Sequence, residues 1–154
     1  MQAWTTYTYT MINATKLAYM AGFVDADGSI SISTVAKHKR YIPKVTVCNC
    51  DKRVVQLFAS EFGGKVRKRV WKNKNWRPNY EWSLTCKKAA AVIEQLLPYL
   101  LIKKKQGQIA LQATKLKAKS SGVLKRWRPE EWFAIQEELQ KLKEQCLKLN
   151  KRGT

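Results

Sequence analysis

Residues 17–33 read LAYMAGFVDADGSISIS. The first half is apolar and rich in small side chains, Ala18, Ala21 and Gly22, while residues 29–33 alternate serine with isoleucine, the period of a strand with one buried side. Between the two stand Asp25 and Asp27, two of the three aspartates in the chain, and Gly28 supplies a helix stop. A helix that hands two carboxylates to the start of a strand is the unit from which the rest of the fold is read.

Upstream, Asn13 or Thr15 offers the side-chain oxygen that opens such a helix. Downstream, the basic stretch AKHKRYIP (36–43) leads to a second alternation, Lys44, Val45, Thr46, Val47, which predicts a hairpin with a long basic tip. Asp51 caps a second helix carrying Val54, Val55, Leu57, Phe58 and Phe62, and Gly63 and Gly64 end it. Residues 65–71 and 80–84 then predict another hairpin around the loop KNKNWRPN. A third helix covers 87–97 up to Pro98, and beyond KKKQGQ another runs through Ile109, Leu111 and Leu116. Pro129, with Glu130 and Glu131, opens a last amphipathic helix over about 129–150, whose Trp132, Ile135, Leu139, Leu142, Cys146 and Leu149 form one apolar stripe.

Helix, hairpin, helix, hairpin, helices is the order of an α+β domain, with an antiparallel sheet covered by helices on one face. The 154 residues suit a single domain over 1–154, with its core at about 14–118.

Thirty basic against eleven acidic residues give a net charge of +19, which implies a polyanionic partner. The excess lies wholly in residues 1–129, with 25 basic and 6 acidic side chains, whereas residues 130–154 hold five of each. By strand parity Ser31, Ser33, Lys44, Thr46, Lys65, Arg67, Arg69, Glu81 and Ser83 face away from the core, and Lys37, Arg40, Lys72 and Arg77 extend that surface at the hairpin tips. A polar, basic sheet face fits double-stranded DNA. Trp71, Trp76 and Trp127 are available to stack on bases, whereas Trp82 and Trp132 fall on core positions.

Cys48, Cys50, Cys86 and Cys146 form no C-x-x-C pair and the chain has one histidine, His38, so a zinc site is excluded and the thiols read as reduced packing residues. No apolar run is long enough for a membrane span and residues 1–10 lack the build of a signal peptide, so the expectation is an intracellular protein with no membrane partner.

Residues 20–28, MAGFVDADG, resemble the signature of the LAGLIDADG homing endonucleases, down to the Ala-Gly pair and the D-A-D-G ending. A calcium loop is excluded because Ile30 stands where an EF-hand requires glycine. Residues 98–106, PYLLIKKKQ, are similar to the P-[FY]-L-x-[LI]-K-x-K-Q run of homodimeric members from rRNA introns. The resemblance implies a homodimer, since the chain has one such motif, with Ala14, Ala18, Ala21 and Gly22 letting two motif helices approach closely. It implies a saddle-shaped sheet on DNA, Asp27 as the catalytic, metal-binding carboxylate, the Ala26 carbonyl as a further ligand, and Mg²⁺, or another divalent cation such as Mn²⁺, as cofactor. Lys103 matches the active-site lysine, and Asn49 and Arg53 match the spacing of a polar pair in the water network. For Asp25 two roles stay open, one in the site beside Asp27 and a structural one at the helix end.

The implied activity is double-strand cleavage at a long pseudo-palindromic target, leaving 3′ overhangs and promoting intron mobility, in a prokaryotic cytoplasm or an organelle that holds the intron-bearing DNA. Two alternatives stay open: a maturase that binds its own intron RNA on the same fold, and a non-enzymatic DNA- or RNA-binding protein.

Overall fold

The structure, a computed structural model, describes residues 12–35, 40–122 and 126–151. Helix α1 (Ala14–Asp27) starts where Asn13 accepts the Thr15 N–H at 2.8 Å. Strands β1 (Gly28–Val35) and β2 (Arg40–Asn49) pair antiparallel, with Ser31 opposite Lys44. Helix α2 (Lys52–Phe62) is capped by Asp51, which accepts the Arg53 N–H at 2.9 Å, and ends at Gly63 and Gly64, both left-handed with φ of 75° and 93°. Strands β3 (Val66–Arg69) and β4 (Asn79–Thr85) follow, then α3 (Cys86–Leu96), a 3-10 turn at Leu97–Tyr99, α4 (Lys104–Gly122) and α5 (Pro129–Asn150).

The four strands form one antiparallel sheet in the order β1-β2-β4-β3. Its inward row, Ile30, Ile32, Val45, Val47, Trp82 and Leu84, is buried beneath helices that contribute Met20, Val24, Phe58, Ile93 and Leu96. Trp82 anchors this layer: its ring packs on Phe58 and Phe62, and its indole N–H donates to the Gly63 carbonyl at 2.8 Å, satisfying the buried polar atom. Helix α5 packs Leu139, Leu142 and Cys146 against Ile32, Tyr41 and Ala113, the dry stripe read from its spacing. Leu149 departs from that stripe and is exposed.

Four boundaries differ from the sequence reading. Residues 40–43, read as part of the basic tip, already belong to β2, with Arg40 opposite Val35. The expected strand over 65–71 is only Val66–Arg69, because Val70 and Trp71 swing out into solvent, and Lys65 precedes it. The KKKQGQ segment is not a connector: helix α4 starts at Lys104, and Gly107 inside it is a contact point, where a Cβ would lie 2.9 Å from Leu97 Cδ1. That close approach outweighs the helix cost of glycine, about 1 kcal/mol relative to alanine. The helix expected over 87–97 runs one residue earlier at both ends, with Cys86 at its start in a left-handed conformation.

Among the described residues, no helix is long and apolar enough to cross a membrane.

Candidate active site and nucleic-acid interface

Helix α1 turns by about 100° per residue, so carboxylates two positions apart point to nearly opposite sides. Asp25 faces inward, 9% exposed, and its two oxygens accept the backbone N–H groups of Leu101 at 2.8 Å and Lys103 at 2.9 Å. It therefore ties residues 101–103 to the end of α1. Asp27 is exposed at the last position of the helix and accepts from Asn49 Nδ2 at 3.0 Å. Lys103 reaches the same tip, where its ammonium donates to the Asp25 carbonyl oxygen.

Asp27, Asn49 and Lys103 are thus brought together by three elements, the end of α1, the end of β2 and the segment before α4. The exposed Ala26 lies beside them. Arg53 is not part of this group, because its guanidinium is held by Asp51, with Nη2 to Oδ2 at 2.6 Å. Those hydrogen bonds from Arg53 lower the Asp51 carboxyl to about 2, so the pair is charged at any working pH. The sequence missed the reach of Asp25. Its partners lie 76 and 78 residues away and are backbone groups, which leave no trace in residue type.

The outward sheet row matches the parity reading: Ser31, Ser33, Lys44, Thr46, Arg67, Arg69, Glu81 and Ser83 share the face opposite the helices. Arg40, Lys65, Lys72 and Arg77 are exposed around it, whereas Lys37 lies outside the described residues. Glu81 differs from its neighbours. It is 5% exposed, its carboxylate meets Arg69 Nη2 at 2.5 Å, and it accepts a 3.7 Å contact from the Cys48 thiol. Burial first, and then the Glu81 charge, push the Cys48 thiol up, which keeps it protonated as a donor. Glu81 is therefore corrected from a surface contact to a buried post that fixes Arg69, since no lone pair of a covered carboxylate is offered outward.

On α1, Ala14, Ala18 and Gly22 are exposed and recur every four residues, with Ala26 continuing the row. A Cβ at Gly22 would meet nothing within 4 Å. Ala21 is the exception. It is 0% exposed within the core, because one residue before Gly22 lies a quarter-turn round the helix, on the side that packs inward.

The cleft of about 770 Å³ lined by Tyr41, Thr85, Lys117 and Trp132 includes none of Asp27, Asn49 or Lys103. Among the described residues, no three His, Cys, Asp or Glu side chains converge as a ready metal cage.

Comparison with known proteins identifies the family and the fold. The family model for "LAGLIDADG endonuclease" matches residues 20–115, well over half of the chain. No match was found among curated proteins. Among solved structures, the homing endonuclease I-CvuI in complex with its target superposes with a TM-score of 0.70 at 24% identity, covering 91% of this chain and 85% of that one. The archaeal intron-encoded homing endonuclease I-Vdi141I complexed with DNA gives 0.70 at 16% identity, covering 91% and 87%. For I-GzeII in complex with a DNA target the TM-score is 0.63 at 16% identity, covering 82% of this chain but 43% of that one. With the motif at the end of α1, the family match over both hairpins and the shared fold, the chain belongs to the LAGLIDADG endonuclease family.

Proposed function

We propose that two copies of this chain act together as a site-specific double-strand DNA homing endonuclease, cutting a long pseudo-palindromic target to leave 3′ overhangs and so promote intron mobility. The observation that carries the proposal is the exposed Asp27 at the end of a helix whose open side is a row of small residues. Packing Ala14, Ala18, Gly22 and Ala26 on the same row of a second copy brings two Asp27 tips to one axis. I-GzeII, of which this chain covers under half, has length enough for two such units, whereas I-Vdi141I does not.

A divalent cation fits the donor set. Asp27 and the Ala26 carbonyl are hard oxygen ligands, and Mg²⁺ takes one or two carboxylates and keeps several waters. Among the described residues one chain offers a single exposed carboxylate there, so the second copy completes the site. When bound, the ion would supply Lewis-acid charge stabilisation. The chain's own groups do the rest: Asn49 holds the Asp27 carboxylate in place, Lys103 sets a positive charge for the scissile phosphate, and the basic sheet face fixes the register of the duplex.

A plasmid carrying the intron-insertion locus tests the reading. Both strands are expected to be cut when Mg²⁺ is added and neither in EDTA; binding of intron RNA with no DNA cleavage would favour the maturase instead. The dimer has its own test in Gly22→Leu. The monomer has room for the new side chain and gains helix propensity, so folding is kept, while a second backbone is pushed away. Light scattering is expected to report half the mass, and cleavage to fall with it; an unchanged mass would move the interface elsewhere.

A further inference from the structure

The loop between β3 and β4 carries two exposed indoles, Trp71 at 41% and Trp76 at 60%. Their rings meet edge to face, with centroids 5.6 Å apart and planes at 70°. The tip is a formed turn: the Trp76 N–H donates to the Asn73 carbonyl at 3.1 Å and the Asn75 N–H to Asn73 Oδ1 at 3.1 Å. Val70 beside them is also exposed, so the patch is apolar and ordered at once. Clustered exposed apolar groups in a folded chain mark a contact surface.

Charge and position say what covers it. Between Phe62 and Tyr80 there are seven basic and no acidic residues. Strand pairing fixes the place: Asn49, whose amide holds Asp27, is opposite Tyr80, and the neighbouring Asn79 is opposite Arg69. Residues 70–78 therefore project from the same end of the sheet as Asp27, two to three strands across, or ~10–15 Å sideways at the usual strand spacing. The β1–β2 tip leaves from the opposite end.

We propose that Trp71 and Trp76 form an apolar knob that packs on the deoxyribose edge of duplex DNA beside the cleaved phosphate, holding a deformed base step. This rests on the endonuclease reading and adds a contact to it. Lys72, Lys74 and Arg77 attract the phosphates, a component that salt screens, while the indoles add one that it does not. Because the turn is formed in advance, little ordering cost is left for binding. Apolar wedges at bent steps act in the same way in other DNA complexes.

The test uses the full chain and a duplex pool enriched by the wild type from random sequences, titrated by fluorescence anisotropy over a series of salt concentrations. The double variant Trp71→Ala/Trp76→Ala is expected to raise Kd about 10- to 100-fold at every salt concentration, with an unchanged slope of log K on log salt. Trp71→Phe/Trp76→Phe should recover most of the affinity, and Lys72→Ala/Lys74→Ala should flatten the slope instead. Equal affinity of the alanine variant and the wild type would overturn the knob. So would a loss confined to single-stranded RNA, or a change in oligomeric mass with duplex affinity intact. A wild type that enriches no duplex sinks the endonuclease reading itself, whereas duplex binding indifferent to the indoles sinks only the knob.

Discussion

Asp27→Asn is expected to lower strand cleavage by about 10³-fold or more while leaving duplex affinity within a few fold of the wild type. The side chain sits at the outer end of α1 and keeps its shape, so the fold loses little beyond one contact with Asn49. What it loses is the negative charge with which Asp27 would hold the proposed hard cation. Removing one negative charge from a +19 chain cannot weaken its attraction to phosphate, which is why binding should survive. Single-turnover cleavage of the target plasmid beside anisotropy on the same duplex separates the two effects. A variant that cuts at the wild-type rate would remove Asp27 from the chemistry.

Asp25→Ala should fail in the opposite manner, through stability. Two backbone N–H groups lose a buried carboxylate that both depend on, at a cost of about 3 kcal/mol in all. For a chain of this length that lowers Tm by about 10 °C. Cleavage should fall as well, measured where both proteins are folded, because residues 101–103 are no longer tied to α1 and Lys103 loses its position. Asp25→Asn keeps one acceptor oxygen and is expected to fall between the two. A melting temperature within a degree of the wild type would show that the loop is held by something else. Two aspartates separated by one alanine thus answer to different assays, one to a rate and the other to a thermal transition.

Much of this was legible in residue order. Alternation placed β1 and β2 and the outward row of Ser31, Ser33, Lys44 and Thr46, since a period of two leaves no choice of face once Ile30, Ile32, Val45 and Val47 go inside. The caps at Asn13 and Asp51 and the double glycine at Gly63 and Gly64 were readable because their chemistry is local. The hydrogen bond from Asn49 to Asp27, by contrast, joins residues 22 apart and was not legible. The failures share a cause of the other kind. Ala21 belongs to the small-residue set by type, yet which side of α1 is covered depends on the packing of distant helices. Arg53 was paired by spacing with Asn49, but Asp51 stands nearer and takes it. Glu81 followed parity to the correct face, and only the pairing of β3 beside β4 reveals that Arg69 closes over it.

The outermost strands bear on a different hazard. A bare strand margin invites another strand to pair with it. Here β3 is four residues long and three of them are cationic, which repels a like neighbour. The opposite margin, β1, has eight residues and no such charge; there Asn150 and Cys146 of α5 donate to the Ile30 carbonyl at 2.8 and 3.4 Å. The closing helix, with five acidic and three basic residues in an otherwise basic chain, thereby acts as a stopper on that margin, so that a second copy of the proposed dimer would have to meet the first elsewhere than at β1.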